Sequence, residues 1–106
     1  MYHYIRNYSK KLPNLNYLSK NIFLNQLTFF RLNGGITKNI DNYFKNKKNF
    51  LLTFDDGLKD HFFAFKNLLE NREKGIFFIP SEPYLNNLTL RVHKTHILIG
   101  MFGGRI

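Results

Sequence analysis

The spacing of apolar residues changes period several times along the chain. Residues 1–5, MYHYI, are aromatic and β-branched enough to predict a short strand. Residues 6–17 are polar, include Pro13 and several Asn, and predict a loop. Helical spacing follows over about 20–32. Phe23, Leu27 and Phe30 stand at i, i+4 and i+7 on one face, and Ser19 is placed to cap the first turn. Asn33-Gly34-Gly35 stops this helix. Ile36-Thr37 predicts a very short strand. Ile40, Tyr43 and Phe44 suit a brief helix before the lysine group Lys45, Lys47 and Lys48.

Residues 50–54, FLLTF, form a continuous apolar run, the pattern of a strand buried on both faces in a parallel sheet. Over 58–73 the spacing is helical again, with Phe62, Phe65 and Leu69 on one face and charges elsewhere. Gly75 restarts the chain, Ile76-Phe77-Phe78-Ile79 predicts a second buried strand, and Pro80 ends it. PSEPYLNN predicts a loop. A third helix is predicted from about 88 to 102, closed by Gly103-Gly104. Strands alternating with helices predict an α/β fold with parallel strands and crossover helices, in one domain spanning 1–106. In such folds ligands bind beyond the carboxyl ends of the strands. Asp55 and Asp56 lie at that end of the central predicted strand.

Composition bounds the chemistry. The chain has 106 residues, 43% hydrophobic, with 12 Phe and no Cys, so it can build a core but neither a disulfide framework nor a thiolate zinc site. No apolar run approaches the roughly 20 residues that span a bilayer, and MYHYIRNYSKK lacks the apolar stretch of a signal peptide; the expected location is cytoplasmic. The formal charge of +9 attracts polyanions in general. The basic residues are scattered, however, whereas a binding face gathers Lys and Arg on one surface. Lys, Asn, Phe and Ile are abundant together, as in an AT-rich gene, so nucleic acid is not the expected partner. A small basic nucleic-acid-binding protein without catalysis is the alternative. It draws on the charge and on 17% aromatic content, although the aromatics mostly follow core periodicity.

Asp55-Asp56-Gly57 has two readings. Asp and Gly favour turns, and Gly57 tolerates positive φ. Two adjacent carboxylates also repel when both are ionised, and a divalent cation on one relieves this. The other is then free as a general base, an arrangement suited to metal-assisted hydrolysis. Thr53-Phe54-Asp55-Asp56-Gly57 after an apolar strand, then a helix, then Gly75-Ile76-Phe77-Phe78-Ile79, resembles the polysaccharide deacetylase family (carbohydrate esterase family four), whose first motif is TFDDG. Met1-Tyr2-His3 resembles the MYH of that family's first strand. The segment from Phe23-Leu24-Asn25-Gln26-Leu27 through Gly35-Ile36-Thr37 resembles the elements between the two motifs. The resemblance covers nearly all of residues 1–80.

That resemblance implies a distorted (β/α) barrel that removes acetyl groups from N-acetylated sugars of a polysaccharide. Asp55 would be the catalytic base and Asp56 a ligand of zinc or a similar divalent ion. The family's second motif, H-[ST]-x-x-[HS], is not cleanly present. The nearest segment is Val92-His93-Lys94-Thr95-His96-Ile97, with Lys94 in place of the small hydroxyl residue and the second His one place early. On a helix, i and i+3 face the same way, so His93 and His96 are candidate metal ligands as well as ordinary helix residues. His3 is expected to be a packed core histidine rather than a direct ligand, and His61 to lie on the helix surface. A parallel barrel takes roughly 200 residues or more, so 106 residues are expected to form part of one, as in an N-terminal fragment or truncated member. An incomplete barrel leaves an open strand edge through which the chain can self-associate.

Overall fold

The computed structural model describes residues 1–46 and 48–104; of the lysine group, Lys47 lies outside them. Helix α1, Lys20–Leu32, forms where the spacing places it. The Ser19 hydroxyl accepts a hydrogen bond from the Ile22 amide at 3.2 Å, a cap that contributes about 1 kcal/mol. Phe23 and Leu27 are its buried residues. The amides of Asn33 and Gly35 both reach back to the Phe30 carbonyl and close the helix. Helix α2, Ile40–Asn46, is the brief helix expected there.

Strands β1, Leu52–Phe54, and β2, Gly75–Phe77, pair in parallel, with Leu52 opposite Gly75 and Phe54 opposite Phe77. A parallel pair needs a crossover, and helix α3, His61–Glu70, lies within it. Gly75 is required by close approach: a Cβ there would stand 3.0 Å from Leu68 Cδ1 and 3.1 Å from the Phe54 ring. The strands expected at 1–5 and 36–37 appear as isolated parallel bridges, Tyr2 with Phe54 and Ile5 with Leu18 in the first and Ile36 with Phe50 in the second. The Tyr2 amide donates to the Thr53 carbonyl and the Asp55 amide to the Tyr2 carbonyl, so the N-terminal segment flanks β1. The described residues form a mixed helix and strand fold around this small parallel sheet.

Three expectations need correction. The run 76–79 is not a buried strand: Gly75–Phe77 pair with β1 but are only partly buried, and Phe78 and Ile79, beyond the strand, are exposed. PSEPYLNN is not wholly a loop. Helix α4, Ser81–Asn86, occupies most of it, with Pro83 in the first turn, where a missing N–H costs little, and Asn87 closing it at φ 51°. The stripe Phe62, Phe65 and Leu69 on α3 does not face the core. His61, Ala64 and Leu68 are the buried residues, one register step away, because small Ala64 lets the helix approach the sheet. Helix α5, Arg91–Phe102, ends at Gly103 as expected. No helix among the described residues is long and apolar enough to cross a membrane.

The core gathers Ile5, Phe23, Leu27, Ile36, Leu52, Phe54, Ala64 and Leu68. Phe54 is its hub. Its ring stacks on Tyr2 and Phe77, at centroid distances of 5.4 and 4.5 Å, and meets Phe23 nearly edge-on. Two bidentate ion pairs tie distant segments together. Arg6 holds Asp60 at 2.7 and 2.9 Å, and the same carboxylate accepts from the Ile5 amide, fixing the N-terminal segment to the start of α3. Arg31, in the last turn of α1, holds the buried Glu73 at 2.7 Å through both nitrogens, just before β2.

Candidate functional site

β1 delivers its last residue, Phe54, into the core, and the chain then turns sharply. Asp56 has φ 80° and Gly57 φ 59°. A left-handed backbone is uncommon for a residue with a Cβ, and such strain costs on the order of 1–3 kcal/mol. At Gly57 a Cβ would also crowd Ile79, at 3.3 Å. Asp55-Asp56-Gly57 is therefore a tight turn at the carboxyl end of β1, with both carboxylates partly exposed.

The N-terminal segment brings His3 to this turn. Successive side chains of an extended segment alternate in direction. Tyr2 packs inward on Phe23 and Phe54, so His3 is left facing the carboxylates. Its Nε2 stands 3.9 Å from Asp55 Oδ2 and 3.8 Å from Asp56 Oδ2. The side chain is 43% exposed, so His3 is not the packed core histidine expected. That role falls to His61, expected on the surface and in fact only 4% exposed. His61 opens α3 against the sheet, its ring beside Phe54 and Phe77. Its Nε2 lies 2.9 Å from the His3 carbonyl. A carbonyl only accepts, so Nε2 carries the proton, and the bond fixes the backbone of His3. Nδ1 is buried without a hydrogen-bond partner among the described residues.

Helix α5 supplies the fourth group. His93 Nε2 is 3.3 Å from Asp56 Oδ2, and the side chain is 12% exposed. This nitrogen is buried and has no hydrogen-bond partner among the described residues, so the pair has the proximity of a bond without its geometry. Two donors held by one tetrahedral zinc, each at about 2.0–2.2 Å, stand roughly 3.3–3.5 Å apart. The Asp56–His93 spacing matches that separation. His96 does not join them: its Nδ1 lies 3.1 Å from the Tyr4 hydroxyl, and the two rings meet edge to face. Burial pushes the Tyr4 hydroxyl up from its ordinary value, with the Arg6 guanidinium, stacked 4.8 Å from the ring centroid, opposing. Among the described residues, no group of three or more His, Cys, Asp or Glu is gathered closely enough to hold a metal ion as it stands.

The site thus joins residues 3, 55, 56 and 93, from three separate segments. Asp55 and Asp56 were legible from their motif. Tyr4 was not singled out, since nothing in the sequence links residue 4 to residue 96; the only hint is the alternation of Tyr2 and Tyr4 around His3. A groove of about 550 Å³ opens beside Asp55 and Asp56, walled by Met1, Thr53, Phe78 and Ile79. A second, of about 400 Å³, runs from His3 and Tyr4 to His96 and Ile99. No family model, no curated protein and no solved structure matches the chain.

Proposed function

We propose that the chain is a metal-dependent hydrolase of the polysaccharide deacetylase type, or the first part of one, acting on the acetamido group of an N-acetylated sugar. The observation that carries this reading is the pair Asp56–His93, 3.3 Å apart, whose histidine nitrogen is buried and unpartnered beside a second carboxylate, Asp55. Asp56 and His93 would hold a divalent cation such as zinc. When bound, the cation supplies Lewis acidity toward the acetyl carbonyl. Asp55, adjacent to Asp56 and not paired with His93, takes the proton from the attacking water. The water oxygen bonds to the acetyl carbon, the C–N bond breaks, and the proton passes to the departing sugar nitrogen. The products are acetate and a free amine. His3 Nε2 lies 3.9 Å from Asp55 Oδ2 and 3.8 Å from Asp56 Oδ2, beside both carboxylates.

The parallel pairing of β1 with β2, with further parallel bridges at Tyr2 and Ile36, supports reading the fold as part of a distorted (β/α) barrel. The test is acetate release from an N-acetylglucosamine oligomer in the presence of zinc. Asp55→Asn keeps the shape and removes the base. Its expected rate is lower by about 10²–10⁴-fold, the usual contribution of a positioned general base. A variant as active as the parent would remove Asp55 from this role.

A further inference from the structure

We infer that the outward face of helix α5 is a docking surface for an anionic lipid bilayer, on which the helix lies flat. Arg91, Lys94, Leu98, Met101 and Phe102 stand at i, i+3, i+7, i+10 and i+11, one stripe of the helix, and all five are exposed. The opposite stripe, His93, His96 and Gly100, holds the helix to the rest of the fold. His93 meets Asp56, His96 lies 3.1 Å from the Tyr4 hydroxyl, and the Gly100 carbonyl accepts from the Asn14 amide at 2.9 Å. A Cβ at Gly100 would stand 3.2 Å from Leu15 Cβ, so that side is closely packed. These contacts fix the rotation of the helix about its axis. It cannot roll to bury Leu98 and Phe102, which are 57% and 76% exposed.

Charge selects the occupant of this face. Two cations, Arg91 and Lys94, stand in the first turn, and the apolar side chains follow. From Lys74 to Gly104 the only acidic residue is Glu82, and the chain as a whole carries +9. A second copy of this face would therefore meet like charge. A nucleic-acid backbone offers nothing apolar to Leu98, Met101 and Phe102. A bilayer containing acidic lipids satisfies both halves of the stripe: its headgroups attract Lys and Arg, and its acyl region takes up the apolar side chains. A groove of about 610 Å³ between α4 and the start of α5 continues the same chemistry. Leu88 and Leu90 line it together with Arg91 and Lys94, and the two cations outnumber Glu82 on its α4 wall. A lipid headgroup fits beside the cations, with the first part of its chain along the leucines. The 12 residues of α5 extend about 18 Å, against roughly 30 Å for the hydrocarbon core of a bilayer, so the helix lies on the surface and does not cross it. Docking of this kind is independent of any chemistry at Asp55.

The experiment is co-sedimentation of the full chain with sucrose-loaded vesicles, made of phosphatidylcholine alone or mixed with phosphatidylglycerol, beside a lipid-free control. Binding to the mixed vesicles at low salt is expected to be at least about ten-fold tighter than to phosphatidylcholine alone, and to weaken as salt screens the cations. Leu98→Ser/Phe102→Ser and Arg91→Gln/Lys94→Gln change exposed positions only, so the circular dichroism of both should match the parent. Each should bind the mixed vesicles roughly ten-fold more weakly, the first through lost apolar burial and the second through lost charge. The second should also flatten the salt dependence. No binding to the mixed vesicles, equal binding to both kinds of vesicle, or undiminished binding by Leu98→Ser/Phe102→Ser would overturn the docking surface. So would self-association without lipid that Leu98→Ser/Phe102→Ser abolishes, since a second copy would then cover this face.

Discussion

Burial pushes the His61 imidazole below its ordinary pKa of 6.5. The hydrogen bond to the His3 carbonyl and the charges of Asp60 and Asp56 oppose the shift, while His3 adds to it. The folded chain keeps His61 neutral where the unfolded chain has begun to protonate it. Below about pH 6.5 the unfolded state binds more protons, so the stability owed to this residue is present above that value and declines as pH falls through it toward the folded pKa. Urea midpoints measured at about pH 7.5 and about pH 5.5 should show the decline. His61→Gln retains an N–H for the His3 carbonyl and cannot titrate, so its decline should be shallower. An equally steep loss in the variant would count against His61 as the source. The sequence showed that four histidines exist but not which one is buried. The packing of Tyr2 on Phe54 and the bond of His61 to the His3 carbonyl settle that, and both join residues more than 50 positions apart.

At the scale of elements, α1 was legible almost to the residue because its signals are local: a cap at Ser19, one face of Phe23 and Leu27, and a stop at Gly34-Gly35. α3 was legible as a helix but not in its orientation. Two stripes of similar period run along it, and choosing between them depends on how closely the helix approaches the sheet. The larger stripe lost. Phe62, Phe65 and Leu69 are exposed, the rings of Phe62 and Phe65 lie 6.3 Å apart, and Phe78 and Ile79 are exposed beyond the end of β2. Apolar surface of this kind promotes association. Sedimentation velocity over rising concentration is expected to show self-association that Phe62→Lys/Phe65→Lys reduces, with little change in stability because neither side chain is buried. If the variant associates as strongly as the parent, the contact lies elsewhere on the molecule.

Across the whole molecule, the site depends on three joints. The bridge of Tyr2 to Phe54 brings His3 to β1, the Arg6–Asp60 pair locks that segment to α3, and Gly100, where a Cβ would stand 3.2 Å from Leu15 Cβ and whose carbonyl accepts from the Asn14 amide, seats α5 so that His93 meets Asp56. None of these joints is written in local spacing. This is why Asp55 and Asp56 stood out in the sequence, while His93 and His96 looked equivalent and proved different. The measurement that most directly tests the central claim is a zinc titration of folding stability in the parent and in Asp56→Ala, His93→Ala and His96→Ala. A ligand that binds only the folded state at about 100 times its Kd adds roughly 2.7 kcal/mol. Saturable stabilisation of the parent that disappears in Asp56→Ala and in His93→Ala, and persists in His96→Ala, is the predicted result. No stabilisation of the parent, or the same stabilisation in His93→Ala, would contradict a metal site built on Asp56 and His93.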